Sequence, residues 1–208
     1  MLNKKFKKTF VLIFSLIMLM SKGYAASIPE PVATIGQFSI LKENCKLDGY
    51  TCDYNLYQKN VFQSTLVDAW DKDLNLEHAT ANFLHVSYGY TFNIHHDIFI
   101  SKQGDVDTYD DLMAVDPKTG CIARFVDGTV PSGTVPSIVF ERVFENKRIN
   151  KFELKPDDFE EISSGYMMLL NYFSEIEFDE SGDLTYNFKI KSGEFKEVKI
   201  QHPCMPKQ

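Results

Sequence analysis

The longest regular pattern in the chain runs from Leu84 to Ile100. Its even positions hold Leu84, Val86, Tyr88, Tyr90, Phe92, Ile94, His96, Ile98 and Ile100. Most of its odd positions are polar: His85, Ser87, Gly89, Thr91, Asn93, His95 and Asp97. Strict alternation of this kind marks β-structure with one buried face. A single strand of that length would span roughly 56 Å, well beyond an ordinary strand, so the run must fold back or bend. A three-residue loop keeps the even positions on one side, and His95-His96-Asp97 supplies it, with Ile94 facing Ile98 and Ile100 facing Phe92. The competing reading is one longer strand bulged at Gly89.

Elsewhere the period changes. Phe62, Leu66, Ala69, Trp70 and Leu74 follow helical spacing and predict an amphipathic helix, although Val61, Thr65 and Val67 also suit a strand. Pro156, followed by Asp157, Asp158, Glu160 and Glu161, opens a second predicted helix whose apolar stripe is Phe159, Ile162, Tyr166, Leu169, Leu170 and Phe173. Asp116-Pro117-Lys118-Thr119-Gly120 is a strong turn between Leu112–Val115 and Cys121–Val126, which predicts a second hairpin with Met113, Val115, Cys121, Ala123 and Phe125 on one face. Ile138–Phe144 reads as a further strand. The C-terminus reads as a β-meander: Ile176 and Phe178, then Leu184, Tyr186, Phe188 and Ile190, then a turn at Ser192-Gly193 that pairs Ile190 with Phe195. Val198 and Ile200 have the wrong parity for that pairing, so a bulge is expected near Lys196–Glu197. Together these elements predict an α+β fold: an antiparallel sheet of seven or more strands in several hairpins, two packed helices, and disulfide staples.

The N-terminal residues change the picture of where the protein works. Lys4, Lys5, Lys7 and Lys8 precede an apolar run from Phe10 to Met20, and Gly23-Tyr24-Ala25 offers small residues for cleavage. This is the pattern of a secretory signal peptide over residues 1–25, with residues 26–208 as a single mature exported domain. The alternative, a retained anchor, is disfavoured because the run is short for a hydrocarbon core of about 30 Å. Five lysines and no acids leave with the segment, taking the formal charge from −7 to −12. Such a chain is a poor ligand for nucleic acid and for anionic membranes, and it suits a basic protein partner or a cation. The four cysteines, Cys45, Cys52, Cys121 and Cys204, all lie beyond the segment. An even count in a periplasmic or secreted protein predicts two disulfides, and of the three pairings Cys45–Cys52 and Cys121–Cys204 is preferred.

Candidate chemistry is sparse. Asp105, Asp107, Asp110 and Asp111 crowd one loop, as calcium ligands do, but without the spacing of a helix–loop–helix calcium site. His95, His96 and Asp97 are candidate ligands for zinc or a similar ion, with His78, His85 or His202 as candidates for the distant ligand that would complete the site. No nucleophile elbow, phosphate-cradling glycine loop or C-x-x-C pair is present, and all four cysteines can pair. No cofactor is called for. The function expected is a non-catalytic binding protein, such as an immunity protein or inhibitor that neutralises a basic exported toxin or cell-wall hydrolase. The alternatives are a metal-assisted hydrolase built on His95-His96 and a structural envelope component.

Overall fold

The computed structural model describes residues 30–47, 50–91, 94–110, 112–126, 137–145, 148–154, 173–189 and 193–205, and its compact unit is Pro31–Gln208. The described residues form fifteen β-strands and no helix. They make four antiparallel sheets whose strand order follows the chain. Sheet A holds β1 (Ala33–Ile35), β2 (Phe38–Glu43), β3 (Cys52–Gln58) and β4 (Val61–Trp70). Sheet B holds β5 (Asn75–Ala79), β6 (Phe83–Thr91), β7 (Ile94–Ser101) and β8 (Val106–Tyr109). Sheet C holds β9 (Leu112–Asp116), β10 (Cys121–Val126), β11 (Ser137–Arg142) and β12 (Arg148–Glu153). Sheet D holds β13 (Phe173–Phe178), β14 (Leu184–Lys189) and β15 (Phe195–Ile200).

Three apolar clusters show how the sheets stack. The first joins Ile40, Tyr54, Leu56, Val67 and Trp70 of sheet A to Leu84, Val86, Ile98 and Ile100 of sheet B. The second joins Phe83, Phe99 and Tyr109 of sheet B to Ile122 of sheet C and to Val143. The third joins Ala123, Phe125, Ile138 and Phe140 of sheet C to Phe173, Leu184, Tyr186 and Phe188 of sheet D. Sheets B and C are therefore inner layers with both faces covered, whereas A and D each contribute one face to the core. Close packing between A and B leaves no room at Gly104, where an added Cβ would lie 2.3 Å from Phe38 Cζ and where φ is +97°.

An all-β architecture corrects the α+β expectation. Residues 62–70 of the predicted helix over 62–74 belong to strand β4, and residues 71–74 are irregular. Lys59 and Asn60, both at positive φ, turn β3 back into β4. The β3–β4 register then slips three times, between pairs Tyr57–Phe62 and Leu56–Ser64, Asn55–Thr65 and Tyr54–Val67, and Tyr54–Val67 and Cys52–Trp70. Each slip adds a residue to β4 and shifts which parity faces the core. Leu66, Val67 and Trp70 all reach the first cluster as a result, which imitates helical spacing in a bulged strand. The second predicted helix, from Pro156 to Phe173, lies outside the described residues except for Phe173, which begins β13.

The central hairpin is present, but its turn comes earlier than expected. Thr91 pairs with Ile94, Gly89 with His95, Ser87 with Asp97, and Leu84 with Ile100. The register slip between Gly89 and Thr91 restores the parity that a short turn would have reversed. His95, His96 and Asp97 are thus strand residues of β7 rather than a loop. In the meander, Tyr186 pairs with Val198 and Leu184 with Ile200 without a bulge, and Phe195 is left 58% exposed opposite Lys189. Two apolar residues turned inward outweigh one turned out. The β9–β10 hairpin forms as expected, but Val115 pairs with Ile122 and faces sheet B, because both sides of sheet C are covered.

Both preferred disulfides are formed, Cys45–Cys52 and Cys121–Cys204, and they are consistent with folding in an oxidising compartment such as the periplasm or the extracellular space. Cys121 and Cys204 are buried in the cluster between sheets C and D, so the long-range staple closes the C-terminal layers.

Two stability measurements follow from this architecture. Denaturant unfolding of Ile98→Ala and Phe99→Ala should show losses of about 2–5 and 3–5 kcal/mol respectively, because adjacent residues of β7 are buried on opposite faces; a near-neutral Phe99→Ala would mean that the odd face is open to water. Replacing Cys121 and Cys204 together by Ser should cost about 4.6 kcal/mol, against about 2.5 for the Cys45 and Cys52 pair, both as upper guides from loop-closure entropy.

Candidate functional site

The odd face of sheet B looks toward sheet C, and three of its polar residues are buried there. His85 is 3% exposed, Ser87 0% and Asp97 4%. Cross-strand register brings them together: Ser87 stands opposite Asp97, and His85 is two residues along the same face of β6. His85 Nε2 lies 2.7 Å from Asp97 Oδ1, so the ring donates to the carboxylate. The imidazole stacks on Phe99 with ring centroids 4.2 Å apart and planes 9° from parallel. Its second nitrogen, Nδ1, has no hydrogen-bond partner among the described residues.

Strand β5 adds two side chains to this group. Its register against β6 slips between Leu76 and His78, which makes Glu77 the extra residue of a bulge. Ser87 Oγ donates to Glu77 Oε1 at 2.6 Å, and the His78 ring centroid lies 5.4 Å from that of His85. Burial, and then the neighbouring His85, push the His78 imidazole below its ordinary range, while Glu77 works in the opposite direction. His95, on β7, extends toward the same carboxylate, with Nδ1 3.7 Å from Asp97 Oδ2.

The residues singled out by the sequence are dispersed by strand alternation. His96 points to the opposite face from His95 and Asp97. Its Nδ1 lies 2.6 Å from Asp110 Oδ1, and its ring stacks on Tyr88 at 4.7 Å. Tyr88 in turn meets Trp70 edge-on at 5.1 Å. Burial, and then Asp110, raise the Tyr88 hydroxyl above its usual range. The acidic loop is likewise divided. Asp105 accepts from Ser101 Oγ at 3.0 Å, Asp107 accepts from the Tyr109 hydroxyl and the Phe144 backbone N–H, and Asp110 is held by His96. Asp111 lies outside the described residues. Among the described residues, no group of three or more His, Cys, Asp or Glu is arranged to hold a metal ion.

A second feature is a small, shallow cleft between the β9–β10 turn and the C-terminal tail, lined by Asp116, Thr119, Arg142, Ser181 and His202 beside the Cys121–Cys204 bridge. Its charges serve the fold. Asp116 accepts from the Lys118 backbone N–H and the Thr119 hydroxyl, and Lys199 reaches both Asp179 and Asp183. Lys199 and then Ser181 hold Asp179 well below the usual carboxylate range.

The His85–Asp97 pair is the arrangement with the most chemical content. A carboxylate that fixes an imidazole tautomer is one half of a proton relay. Here both side chains are about 95% covered, at 4% and 5% exposure, so in this arrangement the pair orients groups inside the layer and presents nothing to a substrate. Alternation and spacing alone do not reveal that Glu77, His78 and Ser87 join His85 and Asp97 in one group. The available signal was Phe99, an apolar residue at an odd position in a run whose odd face otherwise looked solvated. The chain matches no family model, no curated protein and no solved structure.

Removing one partner of the buried pair leaves the other uncompensated. His85→Ala and Asp97→Ala should each cost about 3–5 kcal/mol in denaturant unfolding, and the His85→Leu, Asp97→Leu double variant should cost clearly less than the sum of the two single changes. Additive losses would show that the two side chains do not act as a unit.

Proposed function

We propose that this protein is an exported, disulfide-stapled binding protein, cleaved from its signal peptide, that captures and neutralises a basic exported protein such as a toxin or cell-wall hydrolase. The observation that carries this reading is strand β4. It is the longest strand described and lies at the outer side of sheet A. Val61 and Phe62 at its start are 62% and 52% exposed, and Phe62 packs edge-on against Tyr57 with centroids 5.9 Å apart. Asp68 near its end, and Asp71 and Asp73 just beyond, are exposed acids. Exposed apolar side chains supply the contact area of an interface, and nearby charges steer a partner of opposite sign toward it. The bulges of β4 turn its backbone away from simple strand-to-strand pairing, which favours recognition through side chains. Two disulfides and layered sheets keep that surface rigid, so little ordering entropy is lost on binding.

Affinity capture on the immobilised protein from envelope and secreted extracts tests this. A basic enzyme should be retained at low ionic strength and released at high ionic strength. With that partner in hand, Asp68→Asn with Asp71→Asn should slow association and flatten its salt dependence, whereas Phe62→Ala should speed dissociation and cost on the order of 1–2 kcal/mol. A partner whose association is equally fast at both ionic strengths, or one unaffected by either change, would refute the reading.

A further inference from the structure

Strand β5 is a short outer strand. It has five residues, of which Asn75, Leu76, Glu77 and Ala79 are exposed and only His78 is half-buried. Two side-chain contacts tie it to β6 beyond the ladder itself: Glu77 with Ser87, and His78 with His85. Both exist because the bulge sends consecutive residues toward the same face. The titratable groups on that face are Glu77 from the same strand, His85 from β6, Asp97 and His95 from β7, and Asp107 and Tyr109 from β8 at the far edge of the sheet. Three of the chain's five histidines therefore share one face of sheet B.

From this geometry we infer that β5 is an acid-released edge strand, with His78 as the latch that holds it to β6. With His78 neutral, its ring packs beside that of His85. A proton on His78 puts a cation in a half-buried site next to a second imidazole, and Glu77 offsets only part of the cost. Once β5 opens, the imidazole returns to its ordinary value of 6.5, so the open form takes up the proton first. The closed form keeps its full advantage above that pH. It loses about tenfold in the opening equilibrium for each pH unit between 6.5 and the lower value in the closed strand. Opening uncovers the outer edge of β6 and the buried His85–Asp97 pair behind it.

Hydrogen exchange on the full chain, from about pH 8 to about pH 5 and normalised to intrinsic rates, reads this directly. Backbone amides of residues 75–79 should lose protection about tenfold per pH unit below about 6.5, while those of β14 keep theirs. His78→Gln should flatten the response of β5. Glu77→Gln removes the one carboxylate that raises the His78 imidazole, and should carry the loss to lower pH. A flat β5 profile in the unaltered chain, or the same slope in His78→Gln, overturns the inference. A nuclear magnetic resonance titration of His78 in the unaltered chain decides the matter independently of any variant: a midpoint at or above 6.5 also overturns it.

Discussion

The constraint on which the rest of the structure depends is that the β6–β7 hairpin is buried on both faces over Phe83–Ser87 and Asp97–Ser101. A strand with one wet face can place any polar residue on it. A strand between two layers must account for every side chain on both sides. On the even face the solution is apolar, with Leu84, Val86, Ile98 and Ile100 packed against sheet A. On the odd face it is mixed. Phe83 and Phe99 pack toward sheet C, and the polar residues between them are matched to each other. The slip between Gly89 and Thr91 matters here because it sets the register that places His85 and Ser87 within reach of Asp97.

That polar island has a physical cost and a physical use. A buried carboxylate is tolerated only when donors surround it, and a buried imidazole only when its ring and nitrogens are accommodated. Asp97 has the His85 donor at 2.7 Å, and the His85 ring has the flat face of Phe99. The unpartnered Nδ1 is the one exception in the pair, and it lies on the imidazole that neighbours His78 of β5. The buried pair and the proposed acid-released strand thus meet at the β5 edge of sheet B. That edge strand is short and largely exposed, whereas Phe83–Ser87 and Asp97–Ser101 of the hairpin behind it are buried.

The two ends of the stack are secured in different ways. Sheet A presents its bulged strand β4 outward and carries the short Cys45–Cys52 clip at the entry to β3. Sheet D is closed onto sheet C by the Cys121–Cys204 bridge and by the Lys199 contacts to Asp179 and Asp183 around the β13–β14 turn. The two disulfides accord with an oxidising compartment.

Much of the local structure was legible in the chain itself. Alternation over Leu84–Ile100 specified a folded-back strand pair with an even apolar face, Asp116-Pro117 with Gly120 specified a hairpin, and the spacing of four cysteines favoured the two bridges that form. These are properties of a few neighbouring residues, set by backbone sterics and side-chain period. What lay beyond reach was anything that depends on a third layer or on a register slip. Helical spacing in Phe62–Leu74 came from three slips in a strand, and a slip is visible only when the partner strand is known. The polar island was read as a wet face because alternation reports that two faces differ, not what covers each of them. Only the packing of sheet C against sheet B decided that His85, Ser87 and Asp97 are inside, and only the bulge in β5 decided that Glu77 and His78 join them. Long-range burial is a sum over residues distant in sequence, so no local pattern encodes it.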